Sequence, residues 1–478
     1  MVAAVRRKWY ALALLCTVQF MVVLDIAIVN VALPSIQKDL HFTQESLQWV
    51  ISAYALVFGG FLLLGGRSAD LLGRRRVFFV GLIVFSVGSL LCGVSWSEAS
   101  LITSRAIQGL GAATISPAAL SILTTTFAEG RERNVALGAW GAVGGFGAAA
   151  GVLFGGILTD LLSWNWIFLV NVPVGIAALA LIPVLLDESR DAHAHSFDVL
   201  GSILVTSGLV LTVLAITKGQ DWGWGSGRTI GVFVASAVLL AGFVGWEARH
   251  PEPLMPLSIF RLRTLTAANV SGFILGTTLF AMFLMLTLYM QQVLGYTPLE
   301  TGVAYLAVAG TSILWANVAA QTVNRVGVKP ALIFGMAMMT VGLVYFTQVS
   351  VGGSYWADLF PGFLIIGAGI PFAFIPITIA AVAGTKREEA GLASGLINTS
   401  QQIGGALGIA VLSTIANSTT RSDSEAGVAI TSALTHGFQN AFWVGAGVAA
   451  TGVAVAALFV RRSDLVPALT REAATEVS

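Results

Sequence analysis

Asp25 is an acid inside an apolar stretch that runs from about residue 9 to residue 32. A carboxylate at the middle of a membrane-spanning helix is unfavourable by about 2.5–3.5 kcal/mol, so it faces other helices and serves an ion or proton path, or is locked to a cation. Burial favours the neutral acid and a neighbouring cation favours the anion. A carboxyl held between these influences loads and releases a proton in the physiological range. Arg105 is the one cation inside an apolar run, with Gln108 three residues on. Its guanidinium either biases the protonation of Asp25 or clamps helices together.

Further polar groups share these runs. Asn30 lies close to Asp25, and Asn398, Gln401 and Gln402 occupy positions i, i+3 and i+4 on one helix face. Together with Gln108, Asn30, Asn398 and Gln401 are candidates to line an aqueous substrate cavity; bonding helix to helix is the other role open to them. Gly147, Gly151 and Gly155 recur every four residues and Gly156 follows, a spacing that permits close approach and sliding of helices. It suits a gating helix, though packing alone also explains it.

The elements that must position these residues follow from composition. Of 478 residues 56% are apolar and only 10% carry a formal charge, against about a quarter in soluble domains. The net charge of +1 gives no field to hold nucleic acid. Apolar runs predict spans near 9–32, 46–65, 77–95, 100–125, 135–158, 166–186, 198–217, 229–246, 265–290, 300–321, 331–350, 357–382, 391–416 and 437–460. They do not alternate, so helices and not a barrel are expected: an all-α polytopic membrane protein with fourteen spans.

With the N-terminus in the cytoplasm, about 20 Lys and Arg fall on that side, whereas only Lys38, Lys218, Arg228 and Arg421 fall outside. This bias matches the positive-inside rule and predicts both termini in the cytoplasm. The five histidines lie in loops or at span ends, and Cys16 and Cys92 lie in apolar runs, so no metal, disulfide scaffold or cofactor is expected. No phosphate-binding loop of the GxxxxGK[ST] kind is present, which argues against ATP-driven transport.

The loop GRSADLLGRRR, Gly66 to Arg76, has a counterpart in NRVGVK, where Asn324, Gly327 and Lys329 follow Asp70, Gly73 and Arg75 by 254 positions. Lys386-Arg387-Glu388 follow Arg131-Glu132-Arg133 by 255. A duplicated six-helix unit is predicted, with boundaries 1–190 for the first bundle, 191–260 for two inserted helices and linker, and 261–478 for the second bundle and tail. Repeated halves are a transporter architecture that works by alternating access.

These residues resemble the major facilitator superfamily, and within it the fourteen-helix drug:proton antiporter branch of the EmrB/QacA type. LDIAIVNVALP (Leu24 to Pro34) is similar to the branch's first-span motif, which implies proton coupling at Asp25. GRSADLLGRRR is similar to the superfamily's loop motif, with Ser68 and Leu71 departing from it. LITSRAIQGLGAA (Leu101 to Ala113) resembles the fourth-span motif and assigns its arginine to Arg105. GVLFGG (Gly151 to Gly156) and WNWIFLVNVPVG (Trp164 to Gly175) resemble the antiporter motif region, with Val152 in place of the usual Pro and Asn165 in place of Arg. YMQQVLGYTPLETG and GLASGLINTSQQIGGALG resemble second-half segments of the branch.

The resemblance implies the major facilitator fold arranged as 6+2+6 helices. It also implies a conformational latch at Gly66, Asp70, Gly73, Arg74 and Arg75, with Asp70 meeting the start of the thirteenth span in the outward-facing state. The expected function is proton-coupled efflux of amphipathic small molecules by a monomer in the cell membrane, partnered by protons, substrate and the lipid bilayer and needing no cofactor beyond the proton gradient. A flippase or uncoupled facilitator on the same scaffold is the alternative. An integral membrane enzyme or receptor finds less support, because the spans lack a second acid or a nucleophile–base pair.

Overall fold

The computed structural model describes residues 2–127, 131–190, 198–250, 253, 257, 262–382 and 390–460. Among them every regular element is helical. The spanning helices are α1 (Val2–Leu40), α2 (Trp49–Leu72), α3 (Arg74–Gly93), α4 (Glu98–Thr126), α5 (Arg131–Leu161), α6 (Asn171–Leu185), α7 (Val199–Trp222), α8 (Gly227–Glu247), α9 (Arg263–Leu288), α10 (Leu306–Val326), α11 (Val328–Phe346), α12 (Phe360–Val382), α13 (Ala390–Glu425) and α14 (Ile430–Phe459). Thirteen of these, some with an adjoining helical turn, are long and apolar enough to cross a bilayer. The remaining one, α5, has 31 residues, about 46 Å of helix, and occupies the place of the fifth predicted span. The chain is a multi-pass membrane protein, with fourteen long helices among the described residues.

Sequence signals account for the helix ends. Ser97 and Thr297 each accept a bond from the backbone N–H three residues on, in capping boxes that open α4 and the short seven-residue helix Pro298–Ala304 before α10. α1 and α13 overrun their predicted spans, with 39 and 36 residues. Hydropathy marks only the part of a helix inside the hydrocarbon, whereas backbone bonding continues beyond it.

The turns at the two ends of the predicted 254-residue offset have the same backbone geometry. α2 passes into α3 at Gly73 and α10 into α11 at Gly327, and both glycines have positive φ, 109° and 93°. The N–H of Gly73 donates to Ala69 O and that of Gly327 to Val323 O, so the turn bond recurs at the same 254-residue offset. Only glycine takes this conformation without strain, which is why the loop motif keeps it.

One core is built from α1 to α6, around Tyr54, Phe78, Phe85 and Phe127. A larger one fills the second half and reaches Ile28, Val31 and Ile36 at the C-terminal end of α1. The halves thus pack together at the end of the bundle opposite the N-terminus, here called the far end. Gln291 donates Nε2 to Val31 O at 2.8 Å, and Gln292 donates to Gln37 Oε1 at 3.0 Å.

Candidate functional site: a buried ion pair on the first helix

α1 and α4 bring Asp25 and Arg105 together, and both side chains are fully buried. Arg105 Nη1 donates to Asp25 Oδ2 at 2.6 Å. Gln108 Nε2 donates to Asp25 Oδ1 at 2.7 Å, and Asn171 Nδ2, from the first turn of α6, donates to the same oxygen at 3.0 Å. Arg105 also donates from Nε to Val50 O at 2.9 Å and from Nη1 to Gln108 Oε1 at 2.5 Å. Its guanidinium lies 4.3 Å from the Tyr54 ring centre and 5.5 Å from that of Phe168. Gln108 is further held by a bond from Nε2 to Ser89 Oγ at 2.7 Å.

All three groups around the carboxyl are N–H donors, so the network is complementary to the anion. A proton on Asp25 would remove the charge these donors face, and the α1–α4 attraction would weaken. Burial raises the stakes, because a charge pair this dry loses about 3–5 kcal/mol when one partner is removed.

Gln108, expected to line a substrate cavity, belongs instead to this sealed network. Asn30 is nearly buried and folds its Nδ2 back onto Ile26 O and Ala27 O, at 3.2 and 3.3 Å, so it serves its own helix. Gln401 is half-buried on α13, its side chain over Gly272 of α9, and Asn398 is exposed on the same helix. The structure does not bring Asn30, Asn398 and Gln401 into one site with Asp25.

Asn171 is a participant that sequence reasoning missed. Its signal was available: an amide in the apolar run WNWIFLVNVPVG. Ser89, Tyr54 and the Val50 carbonyl gave no such signal, because their types are ordinary in helices.

The glycine helix lies against the same part of α1. A Cβ on Gly147 would sit 3.0 Å from Val23 Cγ1, one on Gly151 2.6 Å from Ala27 Cβ, and one on Gly155 2.6 Å from Ile28 O. Gly156 turns toward the other half, where a Cβ would meet Pro298 O at 2.7 Å. α5 thus touches α1 beside Asp25 and the second half at the far end.

At the α2–α3 junction Asp70 Oδ1 accepts from Arg74 Nε and Nη2 at 3.1 and 2.9 Å. Arg75 donates its backbone N–H to Glu188 Oε1 at 3.1 Å, and its Nε lies 3.9 Å from Glu188 Oε2. A Cβ on Gly73 would sit 2.6 Å from Glu188 Oε1. Gly66 lies in α2 over Pro117. These bonds tie the motif to the segment after α6, within its own half. The start of the thirteenth span near Gly391, the expected partner of Asp70 in the outward-facing state, corresponds to the beginning of α13 at Ala390.

The Major Facilitator Superfamily profile matches residues 15–409. The chain belongs to that superfamily. It is therefore a transporter and not an enzyme. It is 40% identical over 422 residues to a puromycin resistance protein of Streptomyces alboniger, covering 87% of this chain and 83% of the relative. It is 38% identical to a cephamycin export protein of Amycolatopsis lactamdurans, covering 86% and 85%. A tetracenomycin C resistance and export protein of Streptomyces glaucescens is 35% identical, with 85% and 75% covered. A crystal structure of an auto-inhibited POT family peptide transporter superposes with a TM-score of 0.67 over 95% of this chain and 98% of that one. At 13% identity that likeness concerns the fold alone.

Proposed function

We propose that this superfamily member exports amphipathic small molecules, antibiotics among them, in exchange for protons. The observation that carries the reading is the Asp25–Arg105 pair, a carboxyl group and a guanidinium cation sealed in one half of a transporter fold. The names of the puromycin, cephamycin and tetracenomycin relatives support the substrate class. The protein works as a monomer in the cytoplasmic membrane, with both termini in the cytoplasm and the far end outside. Two six-helix units, 1–190 and 261–478, alternate access around a path between them, and 191–260 contributes the inserted pair.

The geometry suggests how a proton drives the cycle. With Asp25 ionised, Arg105 holds α1 against α4. Protonation leaves Arg105 with Val50 O and Gln108 Oε1, and frees α1 to slide on the Gly147–Gly151–Gly155 stripe. Val31 and Gln37, which hold the far end shut, ride on the same helix, about 9 and 18 Å along from Asp25. Loading the carboxyl from outside, once the substrate-occupied protein has opened outward, thus loosens α1 for substrate release and the return inward. Because Asp25 is enclosed by its own half, substrate and proton compete through helix position rather than for one pocket. Each proton moved inward contributes about 2.3 kcal/mol per 100 mV.

Proteoliposomes carrying a pH indicator, challenged with puromycin first and then other antibiotics, test the reading. Substrate-linked proton movement is expected for the native chain and lost in Asp25→Asn, with the protein still folded. Retention of that movement in Asp25→Asn would refute the coupling role, and export without proton movement in the native chain would favour an uncoupled facilitator.

A further inference from the structure

A third core, separate from those of the halves, forms around the inserted helix α7. It joins Ala55 and Leu56 of α2, Leu209 and Val213 of α7, and Ala406 and Ala410 of α13. α7 therefore covers the seam where the first half crosses the second. It runs antiparallel to α2, since Thr206 lies over Gly60 and Thr217 meets Gln48. On its other side α8 backs it, through Ser236 Oγ donating to Gly208 O at 2.8 Å.

The two seam-facing sides of α7 differ in kind. Toward α2 the fit is indented and polar. Any side chain at Gly60 would collide with Thr206, and Gln48 Nε2, buried, donates to Thr217 Oγ1 at 2.9 Å. Toward α13 the surface is apolar: Ala406 and Ala410 with the partly buried Ile403 and Leu407, crossed by one long hydrogen bond of 3.4 Å from Thr414 Oγ1 to Ile216 O, while the same hydroxyl bonds its own helix at Ala410 O over 2.7 Å. A short buried hydrogen bond and an interlocked side chain resist sliding more than an apolar face crossed by one long bond that its donor also shares with its own helix.

We propose that α7 is anchored on α2 and acts as a sliding seal for α13, travelling with the first half while the second moves across it. The seal has a physical purpose. Gln402 is buried at the α2–α13 crossing, where its Cβ would lie 3.0 Å from a Cβ on Gly59. Were the seam to part into lipid, that amide would face hydrocarbon, at about 2–7 kcal/mol if unbonded. A helix that follows the moving seam keeps acyl chains away from it. The inference deepens the alternating-access reading and rests on it.

The test uses the full chain with Cys16→Ala and Cys92→Ser, and two cysteine pairs bridged by a short bis-methanethiosulfonate reagent, which forms a reducible disulfide with each thiol by displacing methanesulfinate. One pair, Gln48→Cys with Thr217→Cys, joins α7 to α2. The other, Val213→Cys with Ala410→Cys, joins α7 to α13. The readout is hydrogen exchange at the far end of α5 and in the Pro298–Ala304 turn, which needs neither substrate nor proton gradient. The α7–α13 bridge is expected to slow exchange there by about tenfold, reversed by reductant, and the α7–α2 bridge to leave it unchanged. An α7–α13 bridge without effect, or an α7–α2 bridge that slows exchange equally, would overturn the proposal. A loss of proton coupling in separate assays would leave this outcome untouched, so the two readings fail independently.

Discussion

Asn171 donates its Nδ2 hydrogen to Asp25 Oδ1 over 3.0 Å, linking the first turn of α6 to the only carboxylate in the described residues that is bonded to a fully buried arginine. The bond helps to hold the carboxylate in place. Asn171→Ala is expected to lower proton-coupled efflux about tenfold, since hydrogen bonds to charged groups contribute about 1.5–3 kcal/mol. Efflux rates in proteoliposomes measure the loss. An unchanged rate would separate Asn171 from the coupling site.

Arg105 offers a test of stability. Arg105→Met leaves Asp25 buried beside Gln108 and Asn171 with no cation, and a loss of about 3–5 kcal/mol is expected. Combining it with Asp25→Asn removes the stranded charge and is expected to restore most of that loss without restoring coupling. Thermal unfolding of the four proteins in detergent closes the double-mutant cycle, and additive effects would show that the pair does not interact.

Gly151 tests the α1–α5 contact. A side chain there meets Ala27 Cβ at 2.6 Å and Leu24 O at 3.0 Å, the latter backbone that cannot rotate away. Gly151→Val is expected to push α5 off α1 and to lower transport at least tenfold while the protein still reaches the membrane. Wild-type transport with normal expression would remove α5 from the gating scheme.

Gly73 and Gly327 separate strain from collision. Both have positive φ, so alanine at either position is expected to lose about 1–3 kcal/mol to backbone strain. At Gly73 the new methyl also meets Glu188 Oε1 at 2.6 Å, whereas nothing lies within 4 Å at Gly327. Gly73→Ala is therefore expected to lower the Tm further than Gly327→Ala, and equal shifts would count against the Glu188 contact.

Much of this architecture is determined by the sequence alone. Apolar runs long enough to cross hydrocarbon leave helices as the only arrangement that satisfies their backbone, so fourteen spans follow from composition and length. The repeat follows from Gly73 and Gly327, because a positive-φ turn admits little else. Asp25 and Arg105 stand out because charges in lipid are too unfavourable to be incidental. The tertiary structure decided their partners. Hydropathy carries no information about which faces meet, so it could not send Gln108 to the carboxylate and away from a cavity, turn Asn30 onto its own helix, or bring Asn171 across from α6. Nor could it set α7 along the α2–α13 seam. An apolar helix reads the same whether it meets lipid or protein, and only packing tells the two apart.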